Sequence, residues 1–236
     1  MIVLALDTAT PATVVGLLRE DGEMFEVRHD PAEGERPGHA TQLLGLVEAV
    51  LESGGRRLED VELVAVGTGP GSFTGLRIGI ATARALAQAR EVALVGVGTL
   101  RVLAAGAGDE AERVLAVLDA RRGEAFAAAY EGDRELLAPT ALTPDALAAA
   151  ARRLGTAGGA HPLAVGDGAL RFREHLEAAG AAIPADASRL HRVSARHLCR
   201  LAAGAEATDR DAVLPDYVRP PDARPLQPDR KPHSPK

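Results

Sequence analysis

The chain has 236 residues, of which 46% are hydrophobic, and with a mean hydropathy of −0.02 it can bury a real core in one or two domains. Its formal net charge of −6 and its 3% aromatic content, without tryptophan, argue against a protein that grips nucleic acid unaided, because such binding rests on phosphate neutralisation and base stacking. The single cysteine, Cys199, excludes an internal disulfide framework, and no apolar run reaches the roughly 18 residues a membrane span needs, so a cytoplasmic location without membrane contact is the default expectation.

The first residues read as a three-strand meander: Ile2–Leu6, a turn at Asp7–Pro11, Thr13–Leu18, a turn at Asp21 and Gly22, then Glu23–Arg28. After a polar loop from Asp30 to Gly38, His39–Ser53 reads as a helix. Its apolar residues Leu43, Leu44, Leu46, Val47, Val50 and Leu51 span an arc of roughly 160° at about 100° per residue, wider than one sheet requires. The surplus can cover a second surface.

From Val61 an apolar strand runs into a glycine cluster, Gly67, Gly69, Gly71, Gly75 and Gly79, and into a helix over Gly75–Ala89 that Ser72 or Thr74 can cap. Such a junction suits an anion or a closely packed neighbour. The segment holds no lysine, as a phosphate-binding P-loop demands, and Gly69, Gly71 and Gly75 are one residue too widely spaced for a dinucleotide fingerprint. Gly75, Gly79, Ala83 and Ala87 recur every four residues, which leaves a smooth side for another element of the same domain or for a partner.

A strand over Val92–Val97 and a helix over Thr99–Ala107 follow, and then the order begins again. Val114–Leu118 ends in Asp119 as Ile2–Leu6 ends in Asp7. A turn at Ala120–Gly123 leads to Glu124–Tyr130, and Glu131–Asp133 turns into a further strand. The helix Pro144–Leu154 has Thr143 as its cap, and Leu163–Val165 enters Gly166-Asp167-Gly168. Two α/β lobes of ribonuclease-H-like type are implied, the plan of the actin, Hsp70 and sugar-kinase superfamily, with the second lobe the smaller. The expected boundaries are 1–105 for the first lobe and 106–218 for the second, with a last helix near Ser194–Ala205 that can pack back on the first lobe. Residues 219–236 form a proline-rich tail expected to lack a fold of its own.

Five blocks carry a resemblance: IVLALDTAT at Ile2–Thr10, GPGSFTGLRIGIATARALA at Gly69–Ala87, LDARRGEAFAAAY at Leu118–Tyr130, VGDGA at Val165–Ala169 and LPDYVRPPDA at Leu214–Ala223. In order and over most of the chain, they resemble the TsaB (YeaZ) family. That resemblance implies a non-catalytic scaffold that binds and supports the paralogue TsaD, together with TsaE, in making N6-threonylcarbamoyladenosine at position 37 of tRNAs that read codons beginning with adenine. It implies no cofactor, only indirect contact with tRNA, and a TsaD contact and competing self-dimer on the helices over 39–53 and 75–89. The candidate contact residues are His39, Leu43, Leu46, Val47, Val50, Gly75, Ile80, Ala83 and Ala87, with Arg77 and Arg84 as rim charges. About half are expected to face the home sheet instead.

The chemistry of the residues is a separate question. Where the catalytic paralogue carries a histidine pair, this chain reads Gly96-Val97-Gly98-Thr99-Leu100-Arg101, and its seven histidines offer no helical i,i+3 or i,i+4 pair, so no transition-metal site is expected. Asp7, Asp119 and Asp167 end strands; with Thr8 and Gly69 they read either as turn residues or as a relic nucleotide site facing an interlobe cleft. The competing functions are therefore an ATPase or kinase-like enzyme using Mg-nucleotide, or a peptidase built on Ser72, Thr74 or Cys199, none of which has a base nearby in sequence.

Overall fold

The protein is described by a computed structural model over residues 1–32, 34–155, 161–206 and 209–219. The chain beyond Arg219, where the proline-rich tail is expected, lies outside the described residues.

Strands β1 (Val3–Asp7), β2 (Thr13–Leu18), β3 (Met24–His29), β4 (Leu63–Gly67) and β5 (Ala93–Val97) form one sheet in the order β3-β2-β1-β4-β5. The β1–β2 and β2–β3 pairs are antiparallel, while β1–β4 and β4–β5 are parallel. This is a ribonuclease-H-like sheet. Helices α1 (His39–Ser53) and α2 (Phe73–Arg90) follow β3 and β4, and α3 (Thr99–Ala105) follows β5.

A second sheet repeats the plan with β6 (Arg113–Asp119), β7 (Ala125–Glu131), β8 (Arg134–Leu142) and β9 (Leu163–Val165) in the order β8-β7-β6-β9. Its helices are α4 (Pro144–Leu154), α5 (Asp167–Arg171) and α6 (Arg173–Glu177). The fifth strand has shrunk to one parallel bridge between Leu163 and Ala182, closed by Ala164 N to Ala182 O at 2.8 Å and Ala182 N to Pro162 O at 3.0 Å. The fold is thus two ribonuclease-H-like lobes, the second abbreviated. No helix among the described residues is long and apolar enough to cross a membrane.

Strands β1, β2 and β4 are buried on both faces, which is why they read as nearly unbroken apolar runs, while the edge strand β3 is half-buried throughout. Leu4, Leu6, Val15, Leu17, Val64 and Val66 face α1 and α2, meeting Leu43, Val47, Val50, Ile80, Ala83 and Ala87. Val3, Ala5, Val14, Ala65 and Val95 face the last helix, α7 (Ala195–Ala203), through Leu198, Cys199 and Ala202. Helix α3 is shared: its Val102 belongs to that same cluster, while Leu100, Leu103 and Ala104 pack on Val114, Ala116, Leu118 and Val165 of the second sheet. It wedges the lobes apart at their base.

Helices α2, α5 and α6 differ from the sequence expectation. Helix α2 begins at Phe73, two residues before the expected start, because Ser72 caps it, its hydroxyl accepting from Gly75 N at 3.2 Å. Helices α5 and α6, five residues each, are too short to carry a periodic signal.

Candidate functional site

A cleft of about 660 Å³ separates the lobes above α3. Its first-lobe wall is Ala9, Thr10, Pro11 and Pro70–Phe73; its second-lobe wall is Leu118–Arg122, Phe126 and Asp167; and residues 216–219 run through it. The chain has four Phe and two Tyr, and three of these, Phe73, Phe126 and Tyr217, line the cleft. Asp119 accepts from Arg171 Nη1 at 2.9 Å and lies 3.4 Å from Arg121 Nη1. Asp167 accepts from the backbone N–H of Asp119 at 3.1 Å. Burial first, and the Asp119 charge behind it, hold the Asp167 carboxyl above its ordinary range.

The five residues of the nucleotide reading are not brought to one place. Asp119 and Asp167 line the cleft; Asp7, Thr8 and Gly69 do not, which corrects that part of the expectation. Asp7 is fully buried beneath the glycine turn, where it accepts from Ala9 N at 2.8 Å and from the Thr99 hydroxyl at 3.0 Å. Thr99 in turn accepts from Gly69 N at 3.2 Å, and Gly69 O accepts from Thr99 N at 2.7 Å. Gly69 sits at φ 103°, a conformation that favours glycine. The Thr8 hydroxyl donates to Gly75 O at 2.7 Å. These three residues lock the end of β1 to the starts of α2 and α3.

Burial pushes Asp7 up to about 6, against the hydrogen bonds from Ala9 and Thr99 that pull it down. A raised carboxyl favours the fold while protonated. That contribution is full below the unfolded value of 3.8 and is lost as pH rises through about 6, a swing of about 3 kcal/mol. Asp7→Asn, which retains an acceptor for Ala9, is therefore expected to raise stability at pH 7.5 by about 1–3 kcal/mol and by much less at pH 4. Urea unfolding at the two pH values checks this, and an equal change at both would refute it.

On the other side of the first lobe, α1 and α2 lie adjacent on the sheet and expose one continuous outer surface. On α1 it presents Leu44, 59% exposed, with Thr41, Gly45 and Glu48. On α2 it presents Thr74, Arg77, Ala81, Ala85 and Ala89. Leu46, Ile78 and Leu86 are half-buried at the first-lobe core.

The family model "TsaD: tRNA N6-adenosine threonylcarbamoyltransferase" matches residues 32–166, more than half of the chain. The solved structure of YeaZ from Pseudomonas aeruginosa superposes with a TM-score of 0.75 at 30% identity, covering 92% of this chain and 99% of that one. The chain belongs to the TsaB (YeaZ) family. Among curated relatives, the tRNA threonylcarbamoyladenosine biosynthesis protein TsaB of Escherichia coli (strain K12) is 42% identical over 135 residues, 56% of each chain. The TsaB of Bacillus subtilis (strain 168) is 30% identical over 137 residues, 58% of each. The chain spans about half the length of the curated relatives it matches.

Within this family member, the expected contact residues divide by burial. Leu43, Val47, Val50, Ile80, Ala83 and Ala87 face the home sheet, and His39 and Gly75 are buried as well. They are corrected accordingly: an apolar group that fills its own core has no surface left to offer. The stripe of small residues is used internally, since a Cβ added at Gly75 would overlap the Thr8 carbonyl oxygen and one at Gly79 the Thr8 hydroxyl. The His39 ring has Nδ1 2.8 Å from the Thr13 hydroxyl. Burial, with His29 nearby, lowers its pKa and keeps it neutral. Leu46 alone of the apolar candidates is half-exposed.

Arg77 and Arg84 serve the chain itself. Arg77 Nε donates to the Tyr217 hydroxyl at 3.1 Å, and Arg84 Nη2 donates to Val213 O at 2.6 Å and Asp211 O at 3.0 Å. Sequence reasoning missed this use; the signal available was an aromatic residue at the start of α2 and another in LPDYVR, in a chain with so few. Of the nucleophile candidates, Ser72 is taken up as the α2 cap and Cys199 is buried, with its thiol pushed up to about 12.

Proposed function

We propose that this protein acts in tRNA threonylcarbamoyladenosine biosynthesis as a non-catalytic subunit that binds and supports a TsaD-type transferase, with TsaE in the larger assembly. The observation that carries the reading is the outer surface of α1 and α2. Small residues, Ala81, Ala85 and Ala89, repeat along the exposed side of α2, next to exposed Leu44 on α1. Two such helices can lie against an equivalent pair in a four-helix arrangement, because small side chains let helix axes approach closely. A paralogue built on the same lobe plan offers that pair, and so does a second copy of this chain. The names of the curated relatives supply the pathway.

The use of Asp7, Thr8 and Gly69 as internal locks supports a scaffold over an enzyme. A carboxylate buried under its own turn does not reach a nucleotide in the cleft. One specific observation favours the second reading, nucleotide binding: Asp119 and Asp167 face the same opening.

Co-expression with the TsaD of the same organism, followed by size-exclusion chromatography, tests the proposal. A stable complex is expected, and the isolated chain is expected neither to hydrolyse ATP nor to modify tRNA. Separate elution of the two proteins would defeat the scaffold reading. ATP turnover by the isolated chain that disappears in Asp119→Ala would establish the cleft as catalytic.

A further inference from the structure

We infer that residues 209–219 form a clasp that sets the opening between the lobes and ties it to the position of α2. The segment runs antiparallel along α2 and then crosses to the second lobe. Arg210 Nη1 donates to Ala87 O at 3.3 Å, Arg84 holds the carbonyls of Asp211 and Val213, and Asp216 N donates to Thr68 O at 2.8 Å. Tyr217 stacks on Phe73 with ring centroids 5.3 Å apart, while the Arg77 guanidinium lies 3.9 Å from the other partner of that stack, the centre of the Phe73 ring. The next two residues reach the opposite wall. Arg219 pairs with Glu124, donates to Ala120 O at 3.3 Å and lies over the Phe126 ring at 5.7 Å.

On the first side the segment is anchored to α2, to the strand end preceding it and, through buried Val213 beside Gly96 of β5, to the first-lobe core, whereas every anchor of Arg219 belongs to the β6–β7 turn and its neighbour Phe126. The lobes are otherwise joined at the base, through α3 and through the return of the chain to α7, where Leu190 packs on the second-lobe core and Val193 on the first sheet. A clasp opposite a basal wedge is the arrangement in which a hinge motion has one closed position and a release. Beyond buried Val213, the holds are a few hydrogen bonds, one ion pair and one aromatic stack at a half-exposed site, each individually modest, so residues 214–219 can let go while Val213 stays seated and neither lobe unfolds. Because α2 also presents the surface assigned above to a partner, occupancy of that surface and closure of the cleft bias one another. This last step rests on the proposed function; the clasp itself does not.

Spin labels at Glu52→Cys and Glu135→Cys, both exposed positions on different lobes, read the interlobe distance without interference from buried Cys199. One narrow distribution is expected with the clasp intact. Tyr217→Ala combined with Arg219→Ala is expected to broaden it to longer distances, and to speed amide exchange in the Ala120–Glu124 turn by about tenfold, while far-ultraviolet circular dichroism is retained. Arg219→Gln alone, which removes only the second-lobe anchor, gives the same reading should the double variant fail to fold. An unchanged distribution with unchanged exchange would overturn the clasp. With purified TsaD, the double variant is expected to bind about fivefold more weakly; equal affinity despite broadened distances would overturn the coupling alone. Absence of binding by the unaltered chain would instead count against the partner reading.

Discussion

Gly75→Ala is expected to lower stability by about 2–4 kcal/mol, whereas Gly45→Ala is expected to raise it by about 0.5–1 kcal/mol. Both glycines are in helices, and alanine is the better helix former at each. At Gly45, on the open face of α1, an added methyl meets nothing within 4 Å, so propensity alone acts. At Gly75 the methyl would overlap the Thr8 carbonyl and press on the His39 ring. Thr8 cannot retreat, because its hydroxyl is bonded to Gly75 O at 2.7 Å and its neighbour Asp7 is held by Ala9 and Thr99. The start of α2 must move instead, and the Ser72 cap and the glycine turn move with it. Denaturant unfolding of the two variants side by side checks the contrast. A Gly75→Ala protein as stable as the parent would mean that the turn between β1 and β2 is softer than its bonding implies.

Glutamate at Ala83 and at Ala85 is expected to separate folding from assembly. Ala83 is fully buried between α2 and the first sheet. A carboxylate there has no partner and no water, so Ala83→Glu is expected to cost about 4 kcal/mol or more and to leave little folded protein. Ala85, two residues on, is exposed; Ala85→Glu is expected to change stability by about 0.5 kcal/mol or less and yet to abolish co-purification with TsaD, because the charge would be buried unpaired between closely packed helices. Thermal unfolding reports the first effect and the yield of complex the second. Recovery of the Ala85→Glu complex at the parental yield would remove the outer face of α2 from the docking surface.

How much of this was legible beforehand depended on the length scale of the signal. The strands and the two lobes could be read because β1, β4 and β6 are buried on both faces and so appear as apolar runs, each closed by a turn. The wide apolar arc of α1 correctly implied a helix with more hydrophobic surface than one sheet covers, and Leu44 is that excess. Which side of α2 faces inward was not legible, since Gly75, Gly79, Ala83 and Ala87 on one side and Ala81, Ala85 and Ala89 on another are equally small. Only contact with Thr8 decides between them. The fate of Asp7 was hidden for a related reason: a strand-ending aspartate reads alike whether it opens on a cleft or is sealed under a turn, and the seal comes from Thr99, ninety-two positions away. The bonds that tie residues 210–219 to the two lobes join positions at least 95 residues apart, beyond the reach of any local pattern.

Cys199 gives the molecule an internal reporter. Its sulfur lies in the layer between α7 and the first sheet, 3.8 Å from Val3 O, fully buried, with a thiol that burial holds near 12. Reagents that attack thiolates therefore find nothing to react with until α7 lifts from β1 and β2. The rate of modification by a disulfide reagent in native buffer is then a clock for that one departure, and it can be compared with the rate of complete unfolding to tell whether the final helix leaves first or goes down with the sheet.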